Sequence, residues 1–414
     1  MARRSRKSLA SVWGGALQRS FRRNLTAMTR AAVRAGARAA VKATKVATKS
    51  KRAAAKKPLK AARAAAPTPA RKPRAAPSGA GAGAGAGSGV GAGAAGGRWL
   101  SGTAVGPSGA RRYRLFIPAA PRGSAPRPVL VLLHGCDQNA AGFARSTRMQ
   151  ALAAREGFLL LCPEQERLAN ANGCWNWFET RSGRAQAEAA SIVAAIGQVC
   201  SLHGGDAARV AVAGLSAGAS MAALIALRHP AQVQAVAMHS GVGPGAARST
   251  ATAIAAMQGR RAPAALRSAG QPAGAGAGAS ASAVVGAGAG AGAEARPLPP
   301  LLVIQGLADP IVNARNGRAA AQRWAEAAGA EAGASRTVQR GERRAATLTD
   351  FKCRGRLVAT LCEVAGLGHA WSGGMASLPY GDPKGPDASR MVWSFAMQQF
   401  KLLANVGPLA QARR

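Results

Sequence analysis

The stretch that decides the fold is RVAVAGLSAG, residues 209–218. Its first half, RVAVA at 209–213, predicts a short buried strand, and the small residues that follow predict a helix at about 217–228. The turn between them, Gly214-Leu215-Ser216-Ala217-Gly218, has the G-x-S-x-G pattern of a strained strand-to-helix turn that exposes a serine hydroxyl at the strand's carboxyl end. The flanking residues must be small because strand and helix come close together there. We therefore predict that Ser216 is a nucleophile.

Short strands and helices alternate on both sides of this stretch. We predict strands at 113–117, 129–133, 158–162, 209–213, 234–238, 301–305, 346–351 and 356–363. We predict helices near 144–156, 187–202, 217–228, 316–328 and 387–403. Continuous apolar runs, such as VLVLL at 129–133, are typical of strands that are buried on both faces. The alternation predicts an α/β fold with a mostly parallel central sheet flanked by helices.

The charge of the chain is concentrated before this region. The 414 residues include 56 Lys or Arg against 16 Asp or Glu, a formal charge of +40, and residues 1–97 hold 22 of the basic residues and no acid. No apolar run approaches the roughly 20 residues that a membrane-spanning helix needs, which argues against an integral membrane protein. We therefore divide the chain into a basic low-complexity tail at 1–98 and one folded domain at 99–405.

Three segments of the tail differ in composition. Apolar residues recur at helical spacing near 8–30, which predicts a basic amphipathic helix suited to a membrane, a polymer granule or a partner protein. A degenerate secretory signal and a tail without a specific role are the alternatives, although no small-residue cleavage site follows the short apolar stretch. Residues 31–78, rich in Ala, Lys, Arg and Pro, predict disorder. Residues 79–97 predict a flexible Gly/Ala linker.

The tail also bears on possible partners. Its charge predicts contact with an anionic surface, including non-specific contact with nucleic-acid phosphates, through residues 1–97. No aromatic residue lies between residues 22 and 98, so specific nucleic-acid recognition by base stacking has no support. A second Gly/Ala/Ser tract at 269–296 interrupts the domain. Because it lies between two predicted elements, we expect a disordered surface insertion rather than a domain boundary.

A serine nucleophile needs a general base, and the chain offers five histidines. They are His134, His203, His229, His239 and His369. We predict His369 as the base, because it lies in the Gly-rich loop GLGHAWSGG after the last predicted strand and follows Ser216 in the chain order that this arrangement uses. His203 and His229 are expected at helix C-termini, where a favourable dipole contact explains them. His134 is expected to pack beneath the site.

The base needs a carboxylate that orients it, and the oxyanion needs two backbone donors. Asp309 follows the buried strand at 301–305 and lies between Ser216 and His369, so we favour it over Asp350, which lies on or beside a strand. We predict the N–H groups of Ala217 and of Cys136, in the loop LLHGCDQ, as the two oxyanion donors.

Several separate motifs along the chain together resemble those of a known protein family. They are LLHGCDQNAAGFA, GFLLLCPEQ, NANGCWNWF, VAGLSAGASMAA, HSGVGPGAA, QGLADPIVNARNG, GLGHAWSGG and GDPKGPDASR. In this order the chain resembles the poly(3-hydroxyalkanoate) depolymerase-like serine esterases over roughly residues 110–403. The resemblance implies an α/β-hydrolase fold, ester hydrolysis through an acyl-enzyme, and the roles of nucleophile, acid and base for Ser216, Asp309 and His369. It implies no metal and no organic cofactor.

Several tryptophans lie in loops that we expect near the catalytic residues. Trp175 and Trp177 lie in a polar loop on the expected catalytic rim, where they could form an apolar platform for a polyester or acyl chain, or equally the core of a large loop. Trp371, beside His369, is expected to line the site. We predict these three tryptophans as substrate-binding residues. Asp387 is expected to cap the last helix.

The six cysteines allow 15 disulfide connectivities if all of them pair. Cys353 and Cys362 flank an apparent hairpin and form the most plausible pair. Cys136 with Cys174 would tie the predicted oxyanion loop to the tryptophan loop. Cys162 and Cys200, on a predicted strand and helix, are equally compatible with free buried thiols.

Taken together, the sequence predicts a serine carboxylic-ester hydrolase that cleaves a polyester or short-chain esters. Two alternatives stay open: an acetyl or feruloyl esterase acting on plant-wall glycans, and a protein anchored to granules or nucleic acid whose tail is the main functional part. The resemblance implies an extracellular location. The missing signal peptide leaves an intracellular, granule-associated location as the alternative.

Overall fold

A computed structural model of the chain describes residues 92–93, 96–119, 125–267, 284–285 and 296–405. The predicted amphipathic helix near 8–30 and the segment 31–78 lie outside the described residues. So do most of the linker at 79–97 and most of the tract at 269–296.

The strands, in chain order, are β1 Ala92–Gly93, β2 Gly97–Gly106, β3 Gly109–Pro118, β4 Arg127–Leu133, β5 Leu159–Pro163, β6 Gly205–Leu215, β7 Ala235–His239, β8 Leu266–Arg267, β9 Val284–Val285, β10 Leu301–Gly306, β11 Glu331–Ala332, β12 Arg336–Val338, β13 Ala346–Cys353, β14 Arg356–Val364, β15 Trp371–Ser372 and β16 Gly381–Asp382. The helices are α1 Ala140–Ser146, α2 Met149–Glu156, α3 Arg184–His203, α4 Ala217–Arg228, α5 Thr250–Met257, α6 Arg315–Ala327 and α7 Ala388–Ala404.

Twelve of the described strands form one sheet. Its order is β1-β2-β3-β5-β4-β6-β7-β10-β14-β13-β11, with β12 also paired to β13. The central strands β5, β4, β6, β7, β10 and β14 are parallel to one another, whereas the strands outside them pair antiparallel. The predicted fold, a mostly parallel sheet flanked by helices, is confirmed.

Alternation along the central strands buries side chains on both faces of the sheet. On β4, Val129, Val131 and Leu133 pack into one apolar layer with residues of α3, α4 and α6. Leu130 and Leu132 point into the opposite layer with residues of α1, α2 and α7. Because both faces are covered, the polar groups of the site are left at the carboxyl edge of the parallel strands.

The structure corrects some element boundaries. The single helix predicted near 144–156 is two helices, α1 and α2, separated at Arg148, which has a left-handed backbone with φ of 59°. Apart from strands of two or three residues, two elements were missed. Strand β2 is rich in Gly, Ser and Thr and lacks an apolar run, and α5 is a short helix of 8 residues. Asp387 caps α7 as predicted, because its side chain accepts a hydrogen bond from the N–H of Arg390 at 3.0 Å.

Judged by length and composition alone, the helix α3 is long and apolar enough to cross a membrane. It instead covers the sheet as a core helix, with Ala185, Ala189, Ile192 and Val199 buried in the layer that contains β4 and β6. Its second turn carries the buried carboxylate of Glu188.

Candidate functional site

Ser216 occupies a strained turn between β6 and α4. Its backbone has φ of 57° and ψ of −119°, a conformation that a residue with a side chain rarely adopts. Hydrogen bonds hold its backbone: the N–H of Ser216 donates to the carbonyl of His239 at 2.9 Å, and its own carbonyl accepts from the N–H of Ser220 at 3.1 Å and from the hydroxyl of Ser220 at 3.3 Å. The turn points the serine away from the sheet, and the residue keeps 7% of its surface exposed.

The two glycines of the motif are required by contact distances. A Cβ atom at Gly218 would collide with the carbonyl oxygen of Leu133 and would lie 2.6 Å from that of His134. A Cβ atom at Gly214 would collide with the backbone of Gly218. The start of α4 therefore packs directly against the ends of β4 and β6, as the sequence pattern predicted.

Asp309 and His369 form a hydrogen-bonded pair. The Nδ1 atom of His369 lies 2.8 Å from Oδ2 of Asp309, and because a carboxylate only accepts, Nδ1 carries the proton. Oδ1 of Asp309 accepts from the N–H groups of Ile311 and Val312, each at 2.9 Å. The side chains are nearly inaccessible, 6% exposed for His369 and 0% for Asp309.

Burial raises the pKa of Asp309, but other effects outweigh it. The charge of His369, its hydrogen bond and the N–H groups of Val312 and Ile311 together hold the pKa of this carboxyl below its ordinary value. Asp309 is therefore ionised at neutral pH and fixes the tautomer of His369 in which Nε2 is free of a proton.

Ser216 and His369 share one pocket. It is a small pocket that opens to solvent, and it is lined by Gly135, Cys136, Gln138, Leu215, Ser216, His369 and Tyr380. The loop after β4 lies against the serine, since a Cβ atom on Gly135 would be 3.5 Å from Cβ of Ser216. The structure thus brings together Ser216, His369 with its partner Asp309, and Cys136, four of the residues that the sequence predicted.

The backbone donors predicted for the oxyanion lie next to this pocket, since Cys136 lines it and Ala217 follows Ser216 in the chain. Within the described part of the chain, no hydrogen bond uses the N–H of Cys136 or of Ala217. The N–H groups on either side of Cys136 are occupied, since Gly135 donates to Oε1 of Gln138 at 2.8 Å and Asp137 donates to the carbonyl of Asn172 at 2.8 Å. Two amides that flank the serine are therefore available to a bound anion.

The predicted role of the three tryptophans is not supported, because none of them lines the pocket. Trp175 is fully buried and donates its Nε1–H to the carbonyl of His134 at 3.0 Å. Trp177 is 7% exposed and packs edge-on against Phe178. Trp371 is fully buried, donates to Oγ of Ser389 at 3.0 Å and stacks on His239. The alternative of a loop core applies to Trp175 and Trp177, because indole rings bury large apolar areas when their N–H finds a partner.

The remaining histidines have structural environments. His134 is buried with Nδ1 on the carbonyl of Gly135, accepts from the N–H of Gln165 at 3.1 Å, and has its pKa lowered by burial. His239 accepts from the N–H of Ser372 at 3.1 Å, and burial, together with the charge of His369, lowers its pKa to about 3. Both stay neutral. His203 ends α3 and His229 follows α4, as predicted.

Tyr380 is a pocket residue that sequence reasoning missed. Its ring lies edge-on to that of His369, with centroids 6.2 Å apart, and its backbone is left-handed with φ of 58°. Burial, and then the charge of Asp137, raises the pKa of its hydroxyl to about 12, so the phenol remains protonated. The sequence offered one indication of its role: Tyr380 is one of two tyrosines in the chain and lies in a Gly/Pro-rich loop.

The structure also corrects the disulfide prediction. Cys136 and Cys174 are joined, with Cα atoms 4.3 Å apart. Cys353 and Cys362 are both free, because the register of β13 and β14 pairs Cys353 with Arg356 and Cys362 with Leu348. A hairpin disulfide needs the two cysteines opposite each other. Cys162 and Cys200 are free thiols as well, and burial raises the pKa of both.

The fold and the site together define the class. The serine turn follows β6, Asp309 follows β10 and His369 follows β14, at the carboxyl edge of a mostly parallel sheet in the order given above. This is the α/β-hydrolase fold. Among the described residues no group of three or more His, Cys, Asp or Glu side chains could hold a metal ion.

Within that class the chain belongs to the family described as Esterase PHB depolymerase, whose model matches residues 112–323. This confirms the predicted family. The chain is 40% identical over 104 residues to poly(3-hydroxyalkanoate) depolymerase C of Paucimonas lemoignei, which covers 25% of each protein. It is 32% identical over 116 residues to feruloyl esterase B of Neurospora crassa, covering 28% of this chain and 39% of that protein. The chain thus spans well under half the length of these curated relatives.

Solved structures of similar fold include an acetyl xylan esterase from Aspergillus awamori. The similarity covers 66% of this chain and 93% of that protein, with 17% sequence identity and a TM-score of 0.49.

Proposed function

We propose that this protein is a serine carboxylic-ester hydrolase whose catalytic domain spans residues 99–405. One observation carries the proposal: the Asp309–His369 hydrogen bond of 2.8 Å belongs to a pocket that His369 shares with Ser216. A hydroxyl beside an imidazole that a carboxylate orients is the arrangement that activates serine as a nucleophile. Membership of the esterase family supports the same chemistry.

In the proposed reaction, Oγ of Ser216 attacks the ester carbonyl carbon while Nε2 of His369 takes its proton. Asp309 holds the imidazole and stabilises the imidazolium that forms. His369 then gives the proton to the departing alcohol oxygen, which leaves an acyl group on Ser216. Water, deprotonated by the same imidazole, attacks the carbonyl carbon of this acyl-enzyme. The bond to Oγ of Ser216 then breaks, His369 returns the proton to Oγ, and the carboxylic acid is released.

The negative charge that develops on the carbonyl oxygen needs preorganised donors. We assign this role to the N–H groups of Cys136 and Ala217. Support comes from their lack of hydrogen-bond partners within the described residues and from the position of Cys136 in the pocket wall.

As substrate we propose a short-chain aliphatic polyester, such as a poly(3-hydroxyalkanoate), or its oligomers. The similarity to a poly(3-hydroxyalkanoate) depolymerase supports this class. The similarity to a feruloyl esterase makes hydrolysis of plant-wall esters the second candidate. An aromatic acyl group would meet one aromatic ring among the pocket-lining residues, that of Tyr380.

A substrate panel separates the two candidates. We expect kcat/KM for 3-hydroxybutyrate oligomers to exceed that for methyl ferulate and acetylated xylan by at least about tenfold, because an unsuitable acyl group loses contacts in a close-fitting pocket. The measurement is the initial rate of acid release at matched substrate concentrations. A higher kcat/KM on either plant-wall ester would exclude the polyester in favour of the second candidate.

We propose that residues 1–97 bind an anionic surface, because they carry 22 basic residues and no acidic one. Deleting residues 1–91, which carry all 22 of these basic residues and precede β1, is expected to abolish binding to vesicles containing phosphatidylglycerol and to leave turnover of p-nitrophenyl butyrate within about twofold of wild type. Binding by the full chain should weaken about tenfold or more between roughly 50 and 200 mM salt, as electrostatic contacts do. Equal vesicle binding by the truncated and full-length chains would refute this role for the tail. Loss of ester turnover on deletion would refute the proposed domain boundary.

A further inference from the structure

Glu188 is a buried carboxylate that the proposed reaction does not use. It lies in the second turn of α3 and is 1% exposed. Its oxygens accept three hydrogen bonds from amide groups: from the N–H of Asn176 at 2.9 Å, from Nδ2 of Asn176 at 2.6 Å and from Nε2 of Gln165 at 2.9 Å. A buried carboxylate is stable only when such contacts replace its hydration, so these three donors are held firmly in place.

The donors belong to the segment that connects β5 to α3, residues 164–183, here called the connecting segment. Nε2 of Gln165 also donates to the carbonyl of Cys174 at 3.0 Å. On its other side, Oε1 of Gln165 accepts a hydrogen bond from the buried guanidinium of Arg111. The amide of Gln165 is thus oriented by the guanidinium of Arg111 on one side and by the carboxylate of Glu188 on the other. Its hydrogen bond to the carbonyl of Cys174 fixes the backbone of that residue in turn.

The connecting segment holds the pocket loop, residues 134–138, at four points. The first is the disulfide between Cys174 and Cys136, and the second is the hydrogen bond from the N–H of Asp137 to the carbonyl of Asn172 at 2.8 Å. The other two reach His134: Nε1–H of Trp175 donates to its carbonyl at 3.0 Å, and the N–H of Gln165 donates to its Nε2 at 3.1 Å. The contacts lie before, at and after Cys136. They therefore fix the direction in which its backbone N–H points.

We infer that Glu188 is a positioning residue for the N–H of Cys136, acting through Asn176, Gln165 and the Cys136–Cys174 disulfide. This inference rests on the proposed function, in which that N–H stabilises the oxyanion. A donor that binds only the developing charge acts on the transition state and not on substrate binding. Disturbing its position should therefore lower kcat and leave KM unchanged.

The test is Glu188→Gln, which keeps the size of the side chain. A glutamine offers one acceptor oxygen in place of two, so its NH₂ group must face at least one of the three amide donors. We expect kcat for p-nitrophenyl butyrate to fall about 10- to 100-fold, less than the roughly 100- to 1000-fold loss from deleting an oxyanion donor. KM should stay within about twofold, and the pH profile of kcat should keep its shape. The exposed Glu326→Gln on α6 is the matched control, with unchanged kcat.

A second variant, Cys174→Ala, removes the covalent link to Cys136. If Glu188 acts through that link, the double variant should lose less in kcat than the product of the two single losses, because both changes disturb one group. Multiplicative losses, or a kcat for Glu188→Gln within twofold of wild type, would overturn the inference. Should Glu188→Gln not fold, Cys174→Ala alone decides: a reduced kcat at constant KM supports the inference and an unchanged kcat refutes it. Ester turnover by wild type that equals turnover by Ser216→Ala would instead refute the proposed function.

Discussion

Ser216→Ala is expected to lower kcat for p-nitrophenyl butyrate by about a million-fold, the loss typical of removing the nucleophile of a serine hydrolase. This corresponds to about 8 kcal/mol of transition-state stabilisation. Without Oγ no acyl-enzyme forms, and what remains is the contribution of the two backbone amides and of binding. The strained turn should persist, because alanine has the same Cβ atom and the hydrogen bonds described above for the backbone of residue 216 do not use the hydroxyl of Ser216.

The measurement is steady-state ester hydrolysis, with the thermal unfolding midpoint recorded in parallel. Ser201→Ala is the control, since Ser201 lies exposed on α3 and its hydroxyl contacts only the carbonyl of Gly197 among the described residues. Both variants should unfold within about 2 °C of wild type, because neither change opens a cavity in the core. If Ser216→Ala kept more than about a hundredth of the wild-type kcat, Ser216 would not be the nucleophile.

Asp309→Asn is expected to lower kcat about 10,000-fold, or about 5 kcal/mol, through the tautomer of His369. The geometry gives the reason. Oδ1 of Asp309 accepts from two backbone N–H groups, so the single oxygen of an asparagine will stay on that side. Its NH₂ group then faces Nδ1 of His369, which must accept and loses its proton to Nε2. In that tautomer Nε2 carries a hydrogen and cannot take the proton of Ser216.

Asp350→Asn is the matched control for this prediction. Asp350 was the rival acid on sequence grounds, but it lies on β13, where its carboxylate pairs with Arg336 at 2.8 Å and accepts from Thr360 at 2.7 Å. Removing its charge should change kcat by less than about twofold, because surface ion pairs contribute little. Comparison of kcat between the two variants decides the assignment. A larger loss in Asp350→Asn than in Asp309→Asn would reverse it.

The pairing of Asp309 with His369 was predictable because parallel strands end at one edge of a sheet. Each residue follows a predicted strand, β10 or β14, and these two strands are neighbours. Their separation of 60 residues in the chain was therefore no obstacle. The same reasoning failed for the tryptophans. It correctly expected their loops at the rim but could not decide whether each indole pointed into the pocket or into the core.

That decision depends on partners remote in sequence. Trp371 is held in the core by Ser389, His239 and Phe143, which come from three different parts of the chain. Trp175 is held by His134 on the loop after β4. No local pattern encodes such contacts, since periodicity reports which face of an element is apolar and says nothing of how irregular loops pack.

The sequence by itself determined the class of fold, the serine turn and the pairing of Asp309 with His369, because each follows from local strand and helix patterns and from the order of strands. Only the tertiary structure decided the Cys136–Cys174 disulfide, the presence of Tyr380 in the pocket and the contacts of Glu188. Those features depend on side chains from separate loops meeting in space. Their energies arise from burial and from hydrogen bonds that exist only once the chain is folded.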